Sequence, residues 1–184
     1  MPKVSDSHRA ERRRQILDGA RRAFARDGYQ GATVARLEEE IGLSRGAIFS
    51  YFPSKWDLFY SLASEDQDRF GRLWLAEGFE SVVRRICDED PEWVGVYLEA
   101  GRMLRTDPAR RELWLQRNPE LRKAVGEHLA VCQADGVYRS DLPVESIGAF
   151  LGVVLDGLAA QIGTGFPVDA DGTLTLVRAA LAPK

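Results

Sequence analysis

Between positions 33 and 55 the chain gathers side chains suited to anions and base edges: Thr33, Ser44, Arg45, Gly46, Ser50, Tyr51 and Lys55. Hydroxyls, an ammonium and helix N-termini bind phosphate oxygens, and a planar guanidinium can hold guanine in two parallel bonds. This is the chemistry of nucleic-acid contact. Arg45 is the residue best suited to read a base, with Ser50 the second choice; contact to a phosphate is the competing role for Arg45. Of the neighbours Tyr51 and Phe52, Phe52 is expected in the core and Tyr51 at the contact surface. Arg12, Arg13 and Arg14 suit either a flexible basic arm along an adjacent groove or a solvated helix start.

Short helices must position these groups. Thr33 can cap a helix from about Val34 to Ile41, and Gly42 ends it, because a residue just past a helix end often needs a left-handed backbone. Ser44 caps a second helix, Arg45 to about Tyr51. Pro53 stops that helix, and Ser54 caps the next, beginning near Lys55. Val34, Leu37 and Ile41 share one face of the first helix, Leu43 packs inward from the turn, and Ala47 and Ile48 form the buried side of the second. So small a unit needs support from behind. Ile16, Leu17, Ala20, Phe24 and Tyr29 supply it, as a helical stripe across residues 10–27 that Gly28 ends. Leu58, Phe59 and Leu62 close the bundle. Helix, glycine-bearing turn, helix is the helix-turn-helix pattern, whose second helix enters the DNA major groove.

The stretch QILDGARRAFARDGYQGATVARLEEEIGLSRGAIFSYFPSKWDLF resembles the N-terminal signature of the TetR-type transcriptional regulators. It covers the first third of the chain. Within that family the chain is most similar to the aconitase-repressor branch, through GATVARLEEEIGLSRGAIF, LASED, LRTDP, RSDLP and VLDGL. The resemblance implies a ligand-responsive repressor, homodimeric and bound to a double-stranded operator, with a small-molecule effector pocket between residues 75 and 165. It places Thr33, Tyr51 and Lys55 at phosphates and Ser44 to Ser50 at bases. For the branch it implies a small carboxylate with a divalent cation as effector, and control of aconitase or related central metabolism. Repression of an adjacent efflux or catabolic operon is the alternative.

From residue 55 onward the pattern is helical, at about 55–74, 80–88, 91–106, 109–134, 143–163 and 172–181, with Asn118-Pro119 expected to split or kink the fourth. The expected fold is all-α. A DNA-binding head occupies 1–54 and a regulatory and dimerisation body 55–184. Polar groups within apolar helices are the candidate effector contacts: Glu99 and Arg102, three apart on one face, then His128 and Asp156. An internal Glu99–Arg102 ion pair, a core or surface histidine, and an Asp156 bonded within the protein are the competing readings. The helix at 143–163 is apolar almost all round and must be buried on more than one side. Leu151, Gly152, Leu155, Leu158 and Ile162, with Val177 of the last helix, are expected at a four-helix dimer interface. Filling the monomer's own core is the competing role.

Composition bounds the rest. With 184 residues, 45% of them hydrophobic, the chain can bury a sizeable core. No apolar run reaches the ~18 residues of a membrane span, so a cytoplasmic protein without a membrane partner is expected. Net charge is −3, but residues 1–60 carry +3 and the remainder −6, so basic charge collects around the helix-turn-helix. Cys87 and Cys132 lack metal-knuckle spacing, and no metal site or required cofactor is expected. Catalytic signatures such as GxSxG, HExxH, the P-loop and GxGxxG are missing, and His8 and His128 are the two histidines present. An enzyme is therefore the remote reading. A helical interaction module with an inactive head is the third, opposed by Arg45, Tyr51 and Lys55.

Overall fold

Helix caps and glycines punctuate the chain much as their chemistry demands. The computed structural model describes residues 6–183, and its elements there are α1 (Asp6–Gly31), α2 (Val34–Ile41), α3 (Arg45–Phe49), α4 (Lys55–Glu77), α5 (Phe79–Cys87), α6 (Pro91–Thr106), α7 (Pro108–Gln116), α8 (Pro119–Ala134), α9 (Val144–Gly163) and α10 (Ala170–Leu181). Thr33, Ser44 and Ser54 cap α2, α3 and α4 with their side-chain oxygens, and Gly42 ends α2 at φ 74°. All described elements are helices, as expected.

The first helix differs from expectation. It begins by Asp6 rather than near residue 10, so Arg12, Arg13 and Arg14 are helical and form no arm. Arg13 lies at the surface, 2.8 Å from Glu65 and 5.4 Å over the Phe52 ring. Gly28 interrupts the helix rather than ending it, at φ 70°, ψ 169°. Such a backbone is open essentially to glycine alone. The break swings Tyr29 into the core, stacked on Phe24 at 5.6 Å. A Cβ at Gly28 would also lie 2.5 Å from Glu99 Oε1. Gly28→Ala is therefore expected to cost on the order of 1–3 kcal/mol, read as a lower urea midpoint at unchanged slope. An unchanged midpoint would show that the break relaxes freely.

Two apolar cores stack end to end. The first joins α1, α2, α3 and the start of α4, and draws in Trp93, Val96 and Ala100 from α6. The second joins the end of α4 to α5, α8, α9 and α10. Helix α6 thus packs on α1 along one side and on α9 along another. Its crossing with α9 is close: a Cβ at Gly163 would lie 2.8 Å from the backbone of Gly95. The segment over 109–134 is split into α7 and α8 at Asn118-Pro119, as expected, with Asn118 at φ 51°. Asparagine tolerates this left-handed conformation better than most residues, and Pro119 can only start the next helix.

The expected dimer residues are corrected here. Leu151, Leu158, Ile162 and Val177 are buried within the monomer. Gly152 and Leu155 line a cavity that opens partly to solvent. The bulky aliphatics of α9 fill the chain's own core, and a different apolar face is left open: Phe150 (39% exposed) and Val153 (69%); on α10, Leu176 is also exposed (72%). A helix apolar nearly all round does not reveal from its pattern which side turns inward. The expectation that no apolar run reaches the length of a membrane span is likewise corrected. Helix α9 is long and apolar enough to cross a membrane by length and composition, with a mean hydropathy of 1.5.

Candidate nucleic-acid interface and effector cavity

The turn between α2 and α3 is fastened by its own polar groups. Thr33 Oγ1 accepts the Arg36 N–H at 3.4 Å and Ser44 Oγ accepts the Ala47 N–H at 3.4 Å. Glu38 of α2 accepts the Arg45 N–H at 2.5 Å, placing a carboxylate at the start of α3 where the helix dipole favours it. Ser44, Arg45, Gly46 and Ser50 are exposed along α3, as is Thr33 at the start of α2. The Arg45 guanidinium lies 5.9 Å from the Phe49 ring and forms no ion pair among the described residues. It is a free fork on the outer side of α3. Ser50 donates its hydroxyl hydrogen to Ala47 O at 2.7 Å, which leaves it an acceptor. Phe52 is buried and Tyr51 half-buried.

Lys55 departs from its expected place. Its ammonium donates to Tyr29 O at 2.7 Å and Gln30 O at 3.4 Å, and sits 4.6 Å from the Tyr29 ring. It closes the break at Gly28, and burial lowers its pKa, with Glu99 acting in the opposite sense. Much of the other basic charge is also paired. Arg22 and Arg26 hold Glu40 at 2.7 and 2.6 Å, and Arg26 and Arg36 hold Asp27 at 3.0 and 2.9 Å.

Above the head, α4, α6, α8 and α9 wall a cavity of about 890 Å³. Most of its lining is apolar, with polar groups at a few points. Arg117 is the unusual one. Its guanidinium lies 3.5 Å over the Trp114 ring, Nε is buried without a partner, and desolvation brings its pKa down to about 10. Gln67 Oε1 and Trp74 Nε1 are also buried without partners. Unsatisfied buried polar groups are costly, so a ligand that meets them gains by doing so. Asp66 lines the same cavity and is 5% exposed.

The expected effector residues separate. Asp156 does line the cavity, but it is exposed rather than buried. Glu99 and Arg102 on α6 are both exposed, and no ion pair joins them. Glu99 instead approaches the head, 3.4 Å from the Gln30 N–H. His128 lies 3.7 Å from Cys132 Sγ, outside the cavity. Spacing of three placed Glu99 and Arg102 together but could not say which side of α6 they occupy. Asp66 and Arg117 were missed. Asp66 carried a readable signal: it continues the buried stripe of Phe59, Leu62 and Ala63, and a carboxylate in phase with apolar residues needs partners.

Comparison with known proteins agrees with this geometry. The profile of the bacterial regulatory proteins of the tetR family matches residues 16–62. The HTH-type transcriptional repressor Rv1474c of Mycobacterium tuberculosis is 44% identical over 167 residues, covering 90% of this chain and 89% of its own. The HTH-type transcriptional repressor AcnR of Corynebacterium glutamicum is 45% identical over 156 residues, covering 83% and 82%. The structure of GusR from Salmonella enterica superposes with a TM-score of 0.76 at 19% identity, over 98% of this chain and 99% of that one. The chain belongs to the TetR family, in the branch of the AcnR-type repressors, and is a DNA-binding transcriptional regulator rather than an enzyme.

Proposed function

We propose that this regulator acts in the cytoplasm as a homodimeric repressor, released from its operator when an anionic small molecule fills the cavity. The observation that carries this is the double duty of α6. Trp93, Val96 and Ala100 pack in the core of the head, while Val94, Leu98 and Gly101 of the same helix face the cavity. A ligand that shifts α6 must disturb the head.

Arg117 is the group that would hold a carboxylate, by charge and by its unpaired Nε. The divalent cation implied by the branch finds no ready protein donors. No group of three or more His, Cys, Asp or Glu side chains among the described residues could hold one. In the cavity wall Asp66 is fully hydrogen-bonded, and Glu89 faces Arg69 and Arg85 at 3.1 and 3.3 Å. Any such cation would arrive on the effector itself. The branch supports aconitase or related central-metabolism genes as the target, with an adjacent efflux or catabolic operon as the alternative. A panel of small carboxylates, with and without magnesium, tests release of a duplex selected by the wild-type protein. Binding that survives every member, with Arg117→Gln behaving as wild type, would sink the anionic-effector reading.

On DNA, Arg45, Ser44, Gly46 and Ser50 are proposed to face bases, and Thr33 and Tyr51 phosphates. Arg45→Ala is expected to cost about 1–3 kcal/mol on the selected duplex and much less on a scrambled one. Lys55, already engaged at Tyr29 and Gln30, is expected to act on affinity by holding the head in shape. Lys55→Ala should therefore lower the urea midpoint and leave the salt slope of binding nearly unchanged. Titrations at several salt concentrations check both. A slope reduced by about one would restore Lys55 as a direct phosphate contact.

A further inference from the structure

We propose that Asp66 is the positioning residue through which cavity occupancy reaches the DNA-binding head; this rests on the cavity being the effector site. Asp66 sits in α4, and its carboxylate ties together three helices. Oδ1 accepts from Arg21 Nη2 at 2.7 Å and Arg69 Nη2 at 3.0 Å. Oδ2 accepts from Arg21 Nη1 at 3.2 Å, Trp93 Nε1 at 2.8 Å and Tyr97 OH at 2.8 Å. Arg21 belongs to α1 in the head, and Trp93 and Tyr97 belong to α6 in the body. The Arg21 guanidinium also lies 4.3 Å over the Trp93 ring, so the clasp is closed on itself.

The position of this clasp is what makes it informative. Asp66, Trp93 and Tyr97 all line the cavity, while Arg21 reaches the same carboxylate from the far side. Every acceptor site on the carboxylate is used. A buried charge with complete partners is poor evidence for added stability, but losing one partner is strongly penalised. The clasp therefore has two favourable options: stay whole, or move as a unit. A ligand that pushes α6 pulls Trp93 and Tyr97 against Asp66, and the strain passes to Arg21 and α1. Helix α1 in turn grips α2 closely, since a Cβ at Gly19 would lie 2.7 Å from Ile41 Cγ1. The displacement then reaches α3 without any flexible joint between.

The test needs no identified effector. Gly101 lines the cavity, and a Cβ there meets nothing within 4 Å. Gly101→Phe is a built-in occupant. Affinity for the selected duplex is measured for wild type, Gly101→Phe, Asp66→Asn and the double variant, all as full-length protein, with folding followed by circular dichroism. Gly101→Phe should weaken wild-type binding about tenfold, within the usual range of coupling between sites. In the Asp66→Asn background the same change should be worth less than about twofold. Equal losses in both backgrounds would overturn the clasp while leaving the cavity reading intact. A folded Gly101→Phe protein that binds like wild type would overturn the cavity reading and the clasp together. Should Asp66→Asn fail to fold, Arg21→Gln replaces it. That change leaves Asp66 its bonds to Arg69, Trp93 and Tyr97, and the same non-additivity is expected.

Discussion

Lysine in place of Val153 is expected to turn the protein into a folded monomer and to weaken operator binding by a factor on the order of 10²–10⁴. Val153 is 69% exposed, so the monomer loses little packing by the change. Phe150, Val153 and Gly157 follow one another at helical spacing on the open side of α9, and Leu176 lies on α10. In a two-fold interface the same patch meets itself, so one substitution places two ammonium groups in one apolar seam. Burying a charge there without a partner costs several times what a lost methyl would. The effect on DNA follows from geometry. A dimer that has bound one half-site holds its second head close to the other, and a monomer loses that effective concentration. Light scattering and a binding titration read the two consequences separately. A Val153→Lys protein that remains dimeric would move the interface elsewhere. A wild-type chain that is monomeric and partitions into lipid vesicles would assign the apolar side of α9 to a membrane.

Phe59→Ala is expected to remove about 3–5 kcal/mol of stability, a large share of the 5–15 kcal/mol typical of a domain. Phe59 is fully buried. Its ring centroid lies 5.6–6.2 Å from those of Phe24, Tyr29, Trp56, Trp93, Tyr97 and Trp114. Those rings come from α1, α4, α6 and α7, so a void here loosens head from body as well as lowering stability. Urea unfolding followed by tryptophan fluorescence measures both. A loss below about 1.5 kcal/mol would mean that the rings repack into the gap.

The head was readable because its signals are local. Thr33, Ser44 and Ser54 cap the helices that follow them, and Gly42 needs a positive φ that its position beyond α2 announces. In the body the sequence marks helices but not their orientation. Val34 to Ile41 carry apolar residues on one side only, so their inward face is evident. Helix α9 carries them on nearly every side, and the choice between Leu151 inward and Val153 outward depends on α5, α6 and α8, far away in the chain. The cavity suffered most from this. Glu99, Arg102 and His128 are polar among apolar neighbours, which surface positions on an amphipathic helix also are. Asp66 is polar in phase with buried residues, which is the rarer condition, whereas Arg117 follows α7, a helix with no buried residue to mark a phase. Lys55 shows a further limit, because a break in α1 at Gly28 creates carbonyl acceptors that no pattern in residues 10–27 displays.

The close crossing of Gly95 and Gly163 has a mechanical consequence. Where two backbones touch without side chains between them, no side chain stands in the way of a swivel about the crossing point. Helix α6 is therefore a lever with its fulcrum near one end. Some 11 residues lie beyond Gly95, or roughly 16 Å at 1.5 Å per residue. A tilt of about 10° at the fulcrum would carry Thr106 at the far end by roughly 3 Å, while Trp93 and Tyr97, close to the fulcrum, turn against Asp66. A small ligand need not push far to be felt, provided that it presses on the long arm.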